Sequence, residues 1–243
     1  MLNENLQNFL NNTKQPWFIE SYKMFWGQLA DISNLTNLKI LDFGSGFGIT
    51  ANYMAENNKV IAIEPNADMA EERVRENNYT QFIGSIEKLK DFADGYFDVV
   101  ICHNVLEYAS ERAEIVKEFS RILKTDGILS IVKHNKTGRI MHEVVFANNT
   151  DEALSILDGG ERLPNAAFGR IDYYNPEDLV AWGDNLKIEK ILGVRMFFAL
   201  QQKNEIKYEP GWLEKMFEVE MRVCDLEPYK NIAYLNHVLL RKI

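Results

Sequence analysis

The sequence predicts an α/β protein built on a mostly parallel sheet with helices on both faces. Three observations carry this reading. Short apolar runs alternate with helix-like segments between residues 38 and 134. The alternation stops after residue 134 and resumes near 175. Three glycines, Gly44, Gly46 and Gly48, directly follow the first apolar run, where an open parallel sheet carries its ligand loop.

In chain order, the first 36 residues read as helix, with Trp17, Phe25, Trp26 and Leu29 on an apolar face. LKILDFG is a strand, ITANYMAEN a helix and KVIAIE a strand. Asn66 caps a helix over ADMAEERVREN, whose acids lie in the first turns where the helix dipole favours them. TQFIGS and FDVVICHNVL are strands, and a helix over 111–124 puts Val116, Phe119 and Leu123 on one face. GILSIVKH is a strand, after which 135–174 shows only weak periodicity. Asn175-Pro176-Glu177-Asp178 starts a helix, with a cap, a first-turn proline and acids behind it. Strand LKIEKILGVRMFFAL, helix GWLEKMFEVEMRVCDL and strand IAYLNHVLLRKI finish the chain, and suit an antiparallel pair at the sheet edge. These elements fit one domain over 1–243. It comprises an N-terminal helical segment (1–36), a binding core (37–134), an insert (135–174) and a C-terminal part of the sheet (175–243).

The chain has 243 residues, 46% hydrophobic and 26% charged, ordinary values for a water-soluble fold. No apolar run reaches the length of a membrane span, and MLNENLQNFLNNTKQPW lacks a basic region followed by an apolar stretch, so neither membrane insertion nor secretion is expected. Cys102 and Cys224 are the only cysteines, and Cys102 sits in an apolar run, which fits a reduced cytoplasmic protein. A net charge of -9 gives no overall attraction for nucleic acid, although a local basic patch can still supply one. His134, His142 and His237 lack metal-ligand spacing, so no metal is expected, and neither a nucleophile elbow nor a phosphate-binding P-loop is present.

The glycine loop allows a tight turn close to a ligand. The next strand ends at Glu64, 22 residues past Asp42, where a carboxylate can accept both hydroxyls of a ribose. Dinucleotide-binding loops carry a third glycine where this chain has Ile49, and an acid directly before the loop repels pyrophosphate. S-adenosylmethionine has no phosphate and carries an ammonium, which suits Asp42. The loop therefore fits that methyl donor better than a nicotinamide dinucleotide. Alone, such a loop is also a plain strand-to-helix turn, Glu64 a capping acid and His103 a packed histidine. Ser85-Ile86-Glu87 follows the third strand, and His103-Asn104 ends the fourth at the same sheet edge.

LDFGSGFG, VIAIEPNADM, FDVVICHNVLEY and EFSRILKTDGILSIV together resemble the class I S-adenosylmethionine-dependent methyltransferases over roughly residues 38 to 133. HNVLEYA, HNKTGRIMHEVV, GVRMF and MRVCDLEPY extend the resemblance to the CmoM branch, whose members methyl-esterify 5-carboxymethoxyuridine at the wobble position of tRNA. The resemblance implies a Rossmann-like, mostly parallel seven-stranded sheet with an N-terminal helix and a cap insert after the fifth strand. It implies cofactor contacts at Gly44 and Ser45 in the loop, Glu64 at the ribose, Ile86 and Glu87 near adenine, and His103, beside Asp42 and Gly46 from the residue reading. Ser21 falls where the family has a basic cofactor contact. The tRNA-acting relative has a lysine-rich insert; here Lys133 to Asn175 holds five Lys/Arg against six Asp/Glu. The acceptor is therefore either tRNA or a small anionic acid or metabolite, and a cofactor-binding module without transfer activity is the reading from another class. No residue is assigned to a chemical step. Arg195 and Arg222 are the candidates for orienting an anionic acceptor, and Phe168, Tyr173 and Tyr174 for stacking a base or lining an apolar pocket.

Overall fold

The computed structural model describes residues 2–159, 168 and 171–243. In chain order it holds α1 (Glu4–Asn12), α2 (Pro16–Ala30), β1 (Lys39–Phe43), α3 (Ile49–Met54), β2 (Lys59–Glu64), α4 (Ala67–Glu71), β3 (Thr80–Ile83) and β4 (Phe97–His103). Next come α5 (Arg112–Ile122), β5 (Leu123–His134), α6 (Lys136–Val145), α7 (Thr150–Leu157) and α8 (Pro176–Trp182). β6 (Leu186–Val194), α9 (Pro210–Val223), α10 (Glu227–Ile232) and β7 (Leu235–Lys242) follow, with short 3-10 turns between several elements.

The strands form a seven-stranded sheet in the order β3-β2-β1-β4-β5-β7-β6. The pairs β1–β2, β1–β4, β2–β3 and β4–β5 are parallel, and β7 runs antiparallel between β5 and β6. This is the mostly parallel Rossmann-like sheet that the alternation predicts. Its two faces bury separate clusters. Leu41, Val100 and Leu129 pack with α5 and α8, whereas Ile40, Ile101 and Leu239 pack with α2 and α3. Successive side chains of a strand leave opposite faces, so strands buried on both sides read as continuous apolar runs.

Three elements depart from expectation. The helix expected over 67–77 ends at Glu71. Val74 N–H instead donates to Phe47 O, and Asn77 donates its backbone N–H to Asn52 Oδ1 and its side-chain amide to Asn52 O, so tertiary partners replace the helical ladder. The last strand before α9 ends at Val194 rather than continuing to Leu200, because Arg195 takes φ 60° and turns the chain. The insert is not irregular: it contains α6 and α7. Residues 160–167, 169 and 170, where the insert continues, lie outside the described residues.

α6 hides from a periodicity search because the residues it buries are Gly138 and Glu143. A Cβ on Gly138 would stand 1.8 Å from the Ala233 carbonyl oxygen, so the helix lies directly against the chain entering β7. Glu143 is neutralised by Arg139 at 2.5 Å. Asn135 fastens the helix start by donating to Asn231 O and Ala233 O.

Candidate active site

The carboxyl ends of the parallel strands open into a cavity of about 960 Å³. This lies at the upper end of the range for small-molecule sites, which is about 300–1,000 Å³. α1 and α2 roof it with Phe9, Phe18, Ser21, Tyr22 and Phe25, and the insert adds His142, Phe146 and Phe168 to its wall. The insert thus borders the same cavity as the glycine loop.

One half of the cavity is acidic. Gly44 and Gly48 both take left-handed backbone, φ 72° and 69°. Their missing side chains make room for the protein itself: a Cβ would meet Val105 at 2.3 Å from Gly44 and the Tyr79 hydroxyl at 2.1 Å from Gly48. The close approach inferred from the glycines is therefore, at these two positions, an approach of the protein's own side chains. Gly46 N–H donates to Glu64 Oε2 at 2.7 Å, and Asn66 N–H to Glu64 Oε1 at 2.9 Å. The acid that ends β2 thereby pins the loop that follows β1. Burial raises the Glu64 pKa, opposed by these two N–H groups. Each carboxylate oxygen retains a lone pair for a sugar hydroxyl.

Asp42 is 4% exposed, and its Oδ2 has no hydrogen-bond partner. Burial pushes its pKa up to about 7, the Ala51 N–H opposes this, and the Glu64 charge adds to the rise. A buried carboxylate with a free oxygen on a cavity wall calls for a cation from outside the chain. The residues present fit a ligand with an ammonium and a ribose diol, which S-adenosylmethionine has.

The other half is basic. Arg195 and Lys207 both line the cavity. The Arg195 guanidinium lies 4.7 Å from the Tyr234 ring centroid, and its pKa is lowered by burial. Lys207 is 4% exposed, its Nζ donates to Asn204 Oδ1 at 3.0 Å, and burial with the nearby Arg195 charge pushes its pKa down to about 8. Among the described residues no carboxylate lies within ion-pair distance of either cation. Glu220 holds the turn behind Arg195 by accepting N–H bonds from Met196, Phe197 and Phe198, each at 2.8 Å.

The structure gathers Asp42, Gly44, Ser45, Gly46, Glu64, His103, Ser21 and Arg195 around one cavity. Ser21 donates its hydroxyl hydrogen to Trp17 O and so offers only lone pairs. Ile86 and Glu87 stand apart: the cavity reaches Ser85, Ile86 packs on the core, and Glu87 turns back to accept from Ser85 N–H. Arg222 does not join the site. It lies on the outer side of α9 with its side chain 75% exposed, paired with Glu218 one turn away. Of the aromatic candidates, Phe168 lines the cavity against Phe9, whereas Tyr174 is buried in the core beside Trp182. Sequence reading missed Lys207, Tyr22 and Phe9, because nothing in their local pattern shows that distant segments converge on one opening.

A family model described as "Methyltransferase domain" matches residues 41–131. The tRNA 5-carboxymethoxyuridine methyltransferase of Escherichia coli K12 is 27% identical over 216 residues, covering 84% of this chain and 80% of the relative. A ubiquinone biosynthesis O-methyltransferase of Xanthomonas oryzae is 27% identical over 192 residues, covering 72% of this chain and 75% of that one. Among solved structures, a SAM-dependent methyltransferase from Thermotoga maritima superposes with a TM-score of 0.63 at 15% identity, covering 98% of this chain and 99% of that one. A methyltransferase from Mesorhizobium loti gives 0.57 at 15% identity, covering 90% and 98%.

Proposed function

We propose that the acceptor of this chain, an S-adenosylmethionine-dependent methyltransferase of the class I fold, is a carboxylate, converted to a methyl ester. One observation carries this reading: two cations, the half-buried Arg195 and the buried Lys207, line the cavity with no carboxylate among the described residues within ion-pair distance of either, while Asp42 and Glu64 occupy its other half. The acids suit the donor and the cations suit an anion. S-adenosylmethionine supplies a methyl group already activated on a sulfonium sulfur. A carboxylate is ionised at neutral pH and needs no base, so the protein's task is to place it. Arg195 offers a planar fork matched to two carboxylate oxygens, and Lys207 a point charge. Esterification removes the negative charge, so the same cations hold the product less tightly than the substrate.

The carboxymethoxy group of a tRNA wobble uridine is the first candidate, supported by the likeness to the Escherichia coli enzyme along most of both chains. Phe168 and Phe9, 4.9 Å apart at the cavity wall, offer aromatic surface for a base. A small carboxylic acid is the second candidate, supported by the net charge of -9, which opposes a polyanion. Both agree with a cytoplasmic enzyme. Incubation with labelled S-adenosylmethionine and, separately, bulk tRNA and a small-molecule extract, with products identified by mass spectrometry, separates them. Transfer into neither pool contradicts both and favours a cofactor-binding module.

Arg195→Gln is expected to lower kcat/KM by roughly 10- to 100-fold, the loss of a charge-assisted hydrogen bond, with donor affinity unchanged. Arg222→Ala is expected to leave transfer unaltered, given its exposed place on α9, outside the cavity lining. Donor titrations alongside transfer kinetics check both.

A further inference from the structure

Beneath the cavity floor a string of side chains crosses the sheet. His103 Nε2 lies 2.8 Å from Ser130 Oγ, Ser130 Oγ lies 2.7 Å from His237 Nε2, and His237 Nδ1 lies 2.9 Å from Gln28 Oε1. Gln28 Nε2 donates to Gly193 O at 2.9 Å. Gln28, Ser130 and His237 are each 0% exposed. His103 ends β4 on the cavity wall, and its Nδ1 has no hydrogen-bond partner.

The proton positions along this string follow from one end. The Gly193 carbonyl can only accept, which fixes the Gln28 amide nitrogen on its side, so Oε1 faces His237 and can only accept. His237 therefore carries its proton on Nδ1, and its Nε2 is a lone pair. Ser130 has a single hydroxyl hydrogen, which must go to that lone pair. The Ser130 oxygen then accepts from His103, so His103 carries its proton on Nε2, and its Nδ1 is a bare acceptor. His237 is buried and His103 half-buried, both against Phe25, and this loss of water disfavours a second proton on either ring.

We propose that Gln28, His237 and Ser130 are positioning residues that hold His103 in one neutral tautomer, so that the ring meets the bound methyl donor with a lone pair on Nδ1 and not with an N–H. An N–H there would repel the donor's ammonium, whereas the lone pair accepts from it, alongside the free oxygen of Asp42. The contact with the donor rests on the reading of the cavity above; the tautomer does not.

Nitrogen-15 NMR of ring-labelled histidines tests the two parts separately. The chain has four histidines, so assignment by substitution is tractable. In the free protein at pH 7, His237 is expected as the Nδ1–H form and His103 as the Nε2–H form. Ser130→Ala is expected to lose this opposition, and Ser130→Thr, which keeps the hydroxyl, to retain it. A proton on His103 Nδ1 in the parent protein, or opposed tautomers that persist in Ser130→Ala, overturns the positioning role. The parent spectrum alone decides the tautomers, so the test survives a Ser130→Ala chain that fails to fold. S-adenosylhomocysteine, which keeps the ammonium, is expected to shift the His103 Nδ1 resonance, and methylthioadenosine, which lacks it, is not. Equal shifts from the two, or none from either while both bind, overturn the contact. Ser130→Ala is further expected to weaken S-adenosylhomocysteine by about 2- to 12-fold, the range of one hydrogen bond, with recovery in Ser130→Thr. Unchanged affinity in Ser130→Ala also counts against the contact.

Discussion

Two buried carboxyls sit where water cannot stabilise their charge, and they answer to pH in different ways. Asp42 is pushed up to about 7 by burial, so near neutrality a large part of the free enzyme carries it protonated. A bound ammonium favours the ionised form. Donor affinity should therefore rise with pH between about 6 and 8, with a proton released on binding; calorimetry in buffers of different ionisation enthalpy reads that release. Asp42→Asn should bind more weakly and flatten the profile. Glu20, 1% exposed, has no hydrogen-bond partner on either oxygen, and burial together with the Glu220 charge pushes it up to about 8. Its unfolded value is the ordinary 4.5, so the folded chain binds the extra proton and stability is lost as pH rises through that interval. Each unit of such a shift corresponds to about 1.4 kcal/mol. Glu20→Gln should match the parent's melting temperature near pH 4 and exceed it at pH 8, and equal slopes would contradict this assignment. Glu64, Asp42 and the glycine loop were legible in the sequence because they are close in the chain and end two adjacent strands. Glu20 was not, because its surroundings come from α9 and the turn after β6.

At the scale of elements, the tightest fit in the insert is α6 against the start of β7. Gly138→Ala would drive a methyl into the Ala233 carbonyl, which is backbone and cannot rotate away. Overpacking of this kind costs about 1–3 kcal/mol. The variant should melt at a lower temperature and, because α6 carries His142 and Phe146 to the cavity wall, should also raise the acceptor KM more than it weakens the donor. Thermal unfolding and acceptor titrations measure the two effects. The parallel strands were legible because burial on both faces makes them short continuous apolar runs. α6 was not, because its buried positions are a glycine and a paired acid, which leave no apolar stripe to read. α4 was overread: caps and propensity favour helix over 67–77, and the hydrogen bonds of Val74 and Asn77 to α3 and the glycine loop win instead.

Across the whole molecule, charge is divided twice. The chain as a whole is negative, with a net charge of -9, while the cavity at the strand ends holds acids at the ends of β1 and β2 and cations beyond β6. In the sheet order, β6 stands four places from β1, so the two halves are set apart by the architecture itself. This separation is what a methyltransferase needs when donor and acceptor carry opposite charges at their recognised ends. Chain topology supplies it, since no local motif links Asp42 with Lys207. The central claim is that the acceptor presented between these halves is a carboxylate. A methyl ester is cleaved by mild alkali and releases methanol, whereas methyl groups on nitrogen, on carbon or in an ether are retained. The direct measurement is therefore the fate of labelled methyl after transfer by the purified protein into tRNA or a small-molecule pool, followed by alkali. Release of the label as volatile methanol is the predicted result; label that stays with the product after alkali would contradict it.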